Sequence, residues 1–128
     1  MTKTTTFAIL AATLLAAAVT AAPARADEHK AEAKDTAVKG EILDLACYIG
    51  HGGSGPDHAG CAASCLKSGQ PMGLLGADGT VYVLLADHGD AAPYGQAKEL
   101  AGKKVEVTGT VSTKGTLKGI VLHGVKAL

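Results

Sequence analysis

A chain of 128 residues with 47% hydrophobic and 19% charged side chains suits one small domain and excludes a multidomain enzyme or a multi-span membrane protein. Its 12 basic and 12 acidic residues balance, and aromatics make up only 3%, so there is neither a cationic excess to hold a phosphate backbone nor a set of rings to stack bases. Nucleic acid is set aside as a partner, and three cysteines and five histidines become the informative residues.

Residues 1–26 read as an export signal. Lys3 supplies a short positive start, residues 7–22 are apolar and uncharged, and Ala22-Pro23-Ala24 and Ala24-Arg25-Ala26 both offer the small-x-small pattern of a signal-peptidase site. The run is Ala-rich and shorter than the roughly 20 strongly apolar residues a membrane span wants. Cleavage after Ala26 is therefore expected, with a periplasmic or secreted product that keeps no membrane attachment. Loss of Lys3 and Arg25 takes the formal charge from zero to −2. Residues 27–36 (DEHKAEAKDT) mix charges without an apolar period and read as a flexible leader, in which His29 is a bystander.

The domain itself is expected over residues 37–128. A first strand is predicted at 38–46, around Ile42, Leu43 and Leu45. A short strand at 73–75 and another at 80–86 flank Ala77-Asp78-Gly79, an Asp-Gly hairpin signal. A short helix is predicted at 95–100, closed by Gly102. Residues 103–111 alternate, with Val105, Val107 and Val111 on one side, and Lys114-Gly115 turns the chain into a last strand at 117–127. That strand is expected to set Val121, His123 and Val125 on its apolar face, making His123 a satisfied core or rim histidine. His88, in Asp87-His88-Gly89-Asp90, reads as part of a solvated loop. Gly109, Gly119 and Gly124 inside these runs point to bulges or sharp bends. The order strand, strand, strand, helix, strand, strand predicts a mainly β fold, a small five-stranded OB-like barrel. An SH3-like barrel or an irregular β sandwich are the alternatives.

The chemistry lies in an insertion between the first two strands, residues 47–72, CYIGHGGSGPDHAGCAASCLKSGQPM. Glycines at 50, 52, 53 and 55 permit tight turns, Ser54 or Asp57 can cap a helix over 57–68, and Gly69 with Pro71 ends it. On such a helix His58, Cys61 and Cys65 fall within an arc of about 60°. Cys47, expected at the end of the first strand, is brought over the same face by the glycine-rich loop. The outcome is a candidate Cys3His set of Cys47, His58, Cys61 and Cys65, with His51 and Met72 at its edges as further ligands. Thiolate and imidazole are soft or borderline donors suited to one thiophilic ion, zinc or copper, and a thioether from Met72 would tilt the choice toward copper.

Other readings of the same residues stay open. Cys61 and Cys65 share their face with Ala62 and Leu66 and serve equally as small core residues. In an exported protein Cys47 can pair with Cys61 or Cys65 and leave one thiol over. The spacing does not match Cys-x-x-Cys or Cys-x-x-Cys-His, which sets aside thioredoxin-type redox chemistry and covalent haem attachment.

The stretch GEILDLACYIG, followed by the run Gly102-Lys103-Lys104-Val105-Glu106-Val107-Thr108-Gly109, resembles the small exported bacterial OB-like proteins of the BOF type. The resemblance covers residues 38–128 without the insertion and implies the barrel; it carries over no functional residue. No nucleophile–base pair or paired carboxylates stand out, so the chain reads as a metal-binding protein and not an enzyme. The alternative is a disulfide-stapled OB-like module for a protein or saccharide partner.

Overall fold

Alternating apolar residues and well-placed turns produce five strands: β1 (Thr36–Asp44), β2 (Met72–Gly76), β3 (Val81–Ala86), β4 (Lys104–Lys114) and β5 (Leu117–Ala127). A computed structural model describes residues 34–128; the expected export signal and all but the end of the expected leader lie outside the described residues. The strands close into a barrel in the order β1-β2-β3-β5-β4, with β3 and β5 parallel and the other pairs antiparallel. This is the five-stranded OB-like barrel expected. The predicted hairpin turn forms between β2 and β3, where the Asp78 carboxylate accepts from the Thr80 N–H at 3.0 Å and the Thr80 hydroxyl at 2.9 Å.

The barrel is filled by inward residues of every strand, among them Ile42, Leu74, Leu84, Val107 and Ile120, each 0–2% exposed. On β4 the predicted alternation holds, with Val105 and Val107 buried. On β5 it does not. The buried residues are Ile120 and Leu122, while His123 is exposed. The cause is a bulge: Thr108 pairs with Gly124 and Gly109 with Leu122, so His123 has no partner across the ladder. One extra residue reverses the parity of the strand. Val121 therefore leaves the core face, whereas Val125, beyond the bulge, packs against it. His123 turns outward, its Nδ1 2.7 Å from Asp35 and its Nε2 3.3 Å from Asp87. Gly109 is required at the bulge, because a Cβ there would overlap the Val121 carbonyl.

Among the described residues three α-helices decorate the barrel: α1 (Leu45–His51), α2 (Ala59–Lys67) and α3 (Ala92–Lys98). The last lies slightly ahead of the predicted 95–100. The predicted helix at 57–68 is a 3-10 turn, Pro56–His58, continued by α2. Neither Ser54 nor Asp57 caps it; Gly55 precedes the turn and no side chain bonds to its first N–H groups. Helix α1 was not foreseen, and β1 ends at Asp44 rather than continuing to residue 46. The Asp44 carboxylate accepts from the Ala46 N–H at 3.0 Å and starts the helix as its N-cap. Gly52 ends it, donating to the Tyr48 carbonyl at 2.9 Å.

Candidate metal centre

Helices α1 and α2 both contact β1, and their placement decides where the sulfur atoms go. Asp44 and Met72 are partners across the β1–β2 ladder, so the chain leaves and rejoins the barrel at adjoining points. Helix α2 is seated by Ala62 and Leu66, which are 3% and 0% exposed and belong to the core. Cys61 and Cys65 immediately precede these two residues, and their sulfurs lie outside the buried core, each near the sulfur of Cys47 on α1. The glycine-rich loop is held down by Glu41 of β1. Its carboxylate accepts from the Gly55 N–H and pairs with Lys104 at 3.0 Å. Gly53 lies flat on the His58 ring, where a Cβ would stand 2.6 Å from Nε2.

Cys47 approaches from α1, not from the end of a strand, yet it reaches the face the sequence assigned to it. Ligand atoms of Cys47, His58 and Cys61 lie within 4.8 Å of one another. A second group, Asp44, Cys47 and Cys65, satisfies the same limit. Donors around a tetrahedral ion at 2.0–2.3 Å stand roughly 3.3–3.8 Å apart, about an ångström inside the 4.8 Å limit that these groups satisfy. All three cysteines are free thiols; Cys61 is exposed, and Cys47 and Cys65 are half-buried.

Asp44 is the residue that sequence reasoning missed. It is 1% exposed, and its outer carboxylate oxygen, Oδ2, has no hydrogen-bond partner of ordinary geometry. Burial pushes its carboxyl up, but the Cys47 thiol, the Ala46 N–H and the Cys65 thiol together outweigh that and hold it below the usual value. The effect on the sulfurs is the converse. Asp44 beside it, then burial, then the neighbouring Cys61 push the Cys47 thiol up to about 12. Cys65 is raised as well, first by Asp44 and then by burial. Without a cation Cys47 and Cys65 therefore keep their protons beside the Asp44 carboxylate, since a thiolate there meets the negative charge already present. A soft cation reverses this balance, because thiolate is the form that ligates. His58 has a matching feature, a buried Nε2 without a partner.

The two residues at the edges of the predicted set are placed differently. His51 ends α1, exposed, with its ring edge-on to His58 at 5.5 Å between centroids, and belongs to neither donor group. Met72 opens β2, fully buried, with its thioether in the barrel core. Asp44 carried a readable signal, an Asp directly before Leu-Ala-Cys and a helix-ending Gly52, which is the pattern of a capped short helix. No protein-family model, curated protein or solved structure matches this chain.

Proposed function

We propose that this is an exported protein that binds and hands on a thiophilic metal ion of the zinc or copper(I) class, and that it is not an enzyme. The observation that supports the reading is the convergence of Cys47, His58 and Cys61 within 4.8 Å, with Cys65 on the next turn of the same helix. The donors are soft or borderline, matching zinc or copper(I) better than calcium or magnesium. Export rests on the uncharged run at residues 7–22 and the small-x-small sites that follow it.

The placement of the donors supports handling over a purely structural role. The barrel core packs through Ile42, Leu66, Leu74 and their neighbours, which need no ion to meet. Cys61 is exposed, so an incoming chelator or partner protein reaches a ligand directly and exchange proceeds by substitution at that sulfur.

The test is a titration of the reduced protein with Zn2+ and with Cu(I) against a chromogenic chelator. At least one equivalent should be taken up; Cys47→Ser, which removes the donor common to both groups, should abolish uptake, and Cys61→Ser should weaken it, while the β-type circular dichroism persists. A reduced wild-type protein that leaves all the metal with a weak chelator would overturn the reading. Isolation from the export compartment without metal and two hydrogens lighter in mass would support the stapled binding module instead, since Cys47 lies near both other sulfurs.

A further inference from the structure

The donor set is not one shell but two groups that share Cys47. Cys47, His58 and Cys61 form one, and Asp44, Cys47 and Cys65 the other. Each contains a polar atom buried without a hydrogen-bond partner, Nε2 of His58 in the first and Oδ2 of Asp44 in the second. Such atoms are uncommon in native proteins and call for a specific cause. For Asp44 the need is sharpest. Its other oxygen is occupied by the Ala46 N–H, and the thiols of Cys47 and Cys65, within 4.8 Å of the carboxylate, are weak donors.

We propose that the site has two cation positions joined through the Cys47 sulfur: an outer one held by Cys47, His58 and Cys61, and an inner one held by Asp44, Cys47 and Cys65. This rests on the metal-binding reading above and extends it. A thiolate sulfur has lone pairs enough to bridge two ions, and Cys47 is the one donor common to both groups. The positions also differ in access, since the outer one includes the exposed Cys61 and the inner one the buried Asp44.

The experiment uses 113Cd2+ as a soft probe and the reduced protein at up to two equivalents. Two 113Cd resonances are expected, one from a sulfur–nitrogen and one from a sulfur–oxygen environment. Asp44→Asn should remove one and leave the other, weakening the second equivalent by at least about tenfold. Asparagine caps a helix about as well as aspartate, so α1 is retained in that variant. His58→Gln should affect the other resonance. A single resonance saturating at one equivalent in the wild type, or two that Asp44→Asn leaves unmoved, overturns the inner position while the metal-binding reading stands. Absence of cadmium uptake overturns that reading as well. Should Asp44→Asn not fold, Cys65→Ser decides on the same criterion: loss of one resonance supports the inner position, and two unmoved resonances overturn it.

Discussion

Leu66→Ala tests how the metal-bearing helix is attached. Helix α2 has nine residues, fewer than the roughly 12–15 an isolated helix needs to hold its shape in water. Its buried residues are Ala62 and Leu66, and Leu66 is 0% exposed within the barrel core. Removing that side chain forfeits about 2–3 kcal/mol of apolar burial. The cavity left behind brings the expected cost to about 3 kcal/mol, within the usual range for buried leucines. That corresponds to a change of about 150-fold in the folded-to-unfolded ratio and a fall of about 15 °C in the thermal midpoint for a domain of this size. If the loss falls on the helix alone, the barrel signal survives while Cys61 and Cys65 become reactive. Urea unfolding followed by circular dichroism gives the global figure, and the rate of thiol modification by an aromatic disulfide reports on the helix. A destabilisation below about 1 kcal/mol with unchanged thiol reactivity would show that α2 is not held through Leu66, and the account of how the sulfurs are positioned would fail with it.

Three further outcomes are expected. Met72→Leu should cost less than about 1.5 kcal/mol and leave metal uptake unchanged, because the thioether is core packing; a selective loss of copper uptake in a folded variant would make it a ligand. Gly109→Ala should destabilise by about 1–3 kcal/mol or more, since neither the Val121 carbonyl nor the bulge can yield, while Gly60→Ala on α2, with open space around it, should be neutral or stabilising by up to about 1 kcal/mol. Paired thermal melts check both. Asp78 and Asp87 are held below the usual carboxylate value chiefly by N–H groups of Thr80 and of Gly89, and Glu106 chiefly by Lys126. The folded state thus binds fewer protons than the unfolded chain, so their stabilisation is complete above the unfolded values near 4 and is lost as pH falls through the folded ones. The thermal midpoint should hold from pH 6 to about 5 and decline below about 4, less steeply in Asp87→Asn; a midpoint that rises on acidification contradicts the assignment.

Local chemistry made most of the barrel readable in advance. The Asp78-Gly79 turn, the Lys114-Gly115 turn and the alternation of Val105 with Val107 each depend on neighbours close in sequence, and each is where it was expected. Failures came where a long-range pairing overrode a local pattern. Val121, His123 and Val125 look like one face until Gly109 on another strand forces His123 out of register. Leu45 and Ala46 look like strand continuation until Asp44 caps a helix, and that one misreading hid both α1 and the carboxylate beside the sulfurs. The cysteine convergence survived it because helical spacing places Cys61 and Cys65 and the loop returns Cys47 to them by either route. Met72 adjoins the site in the chain, but it shares the face of Leu74 on β2 and its side chain is buried in the barrel core.

The pairing of Asp44 with Met72 has a consequence for how the molecule can vary. Everything from residue 45 to residue 71 departs from and returns to facing rungs of one ladder, so its length is invisible to the sheet. The scaffold holds that excursion through the footholds at Leu45, Ala62 and Leu66 and through the Glu41 carboxylate on the Gly55 N–H. Donor residues elsewhere along it are free to be exchanged, one coordination chemistry for another, on an unchanged chassis.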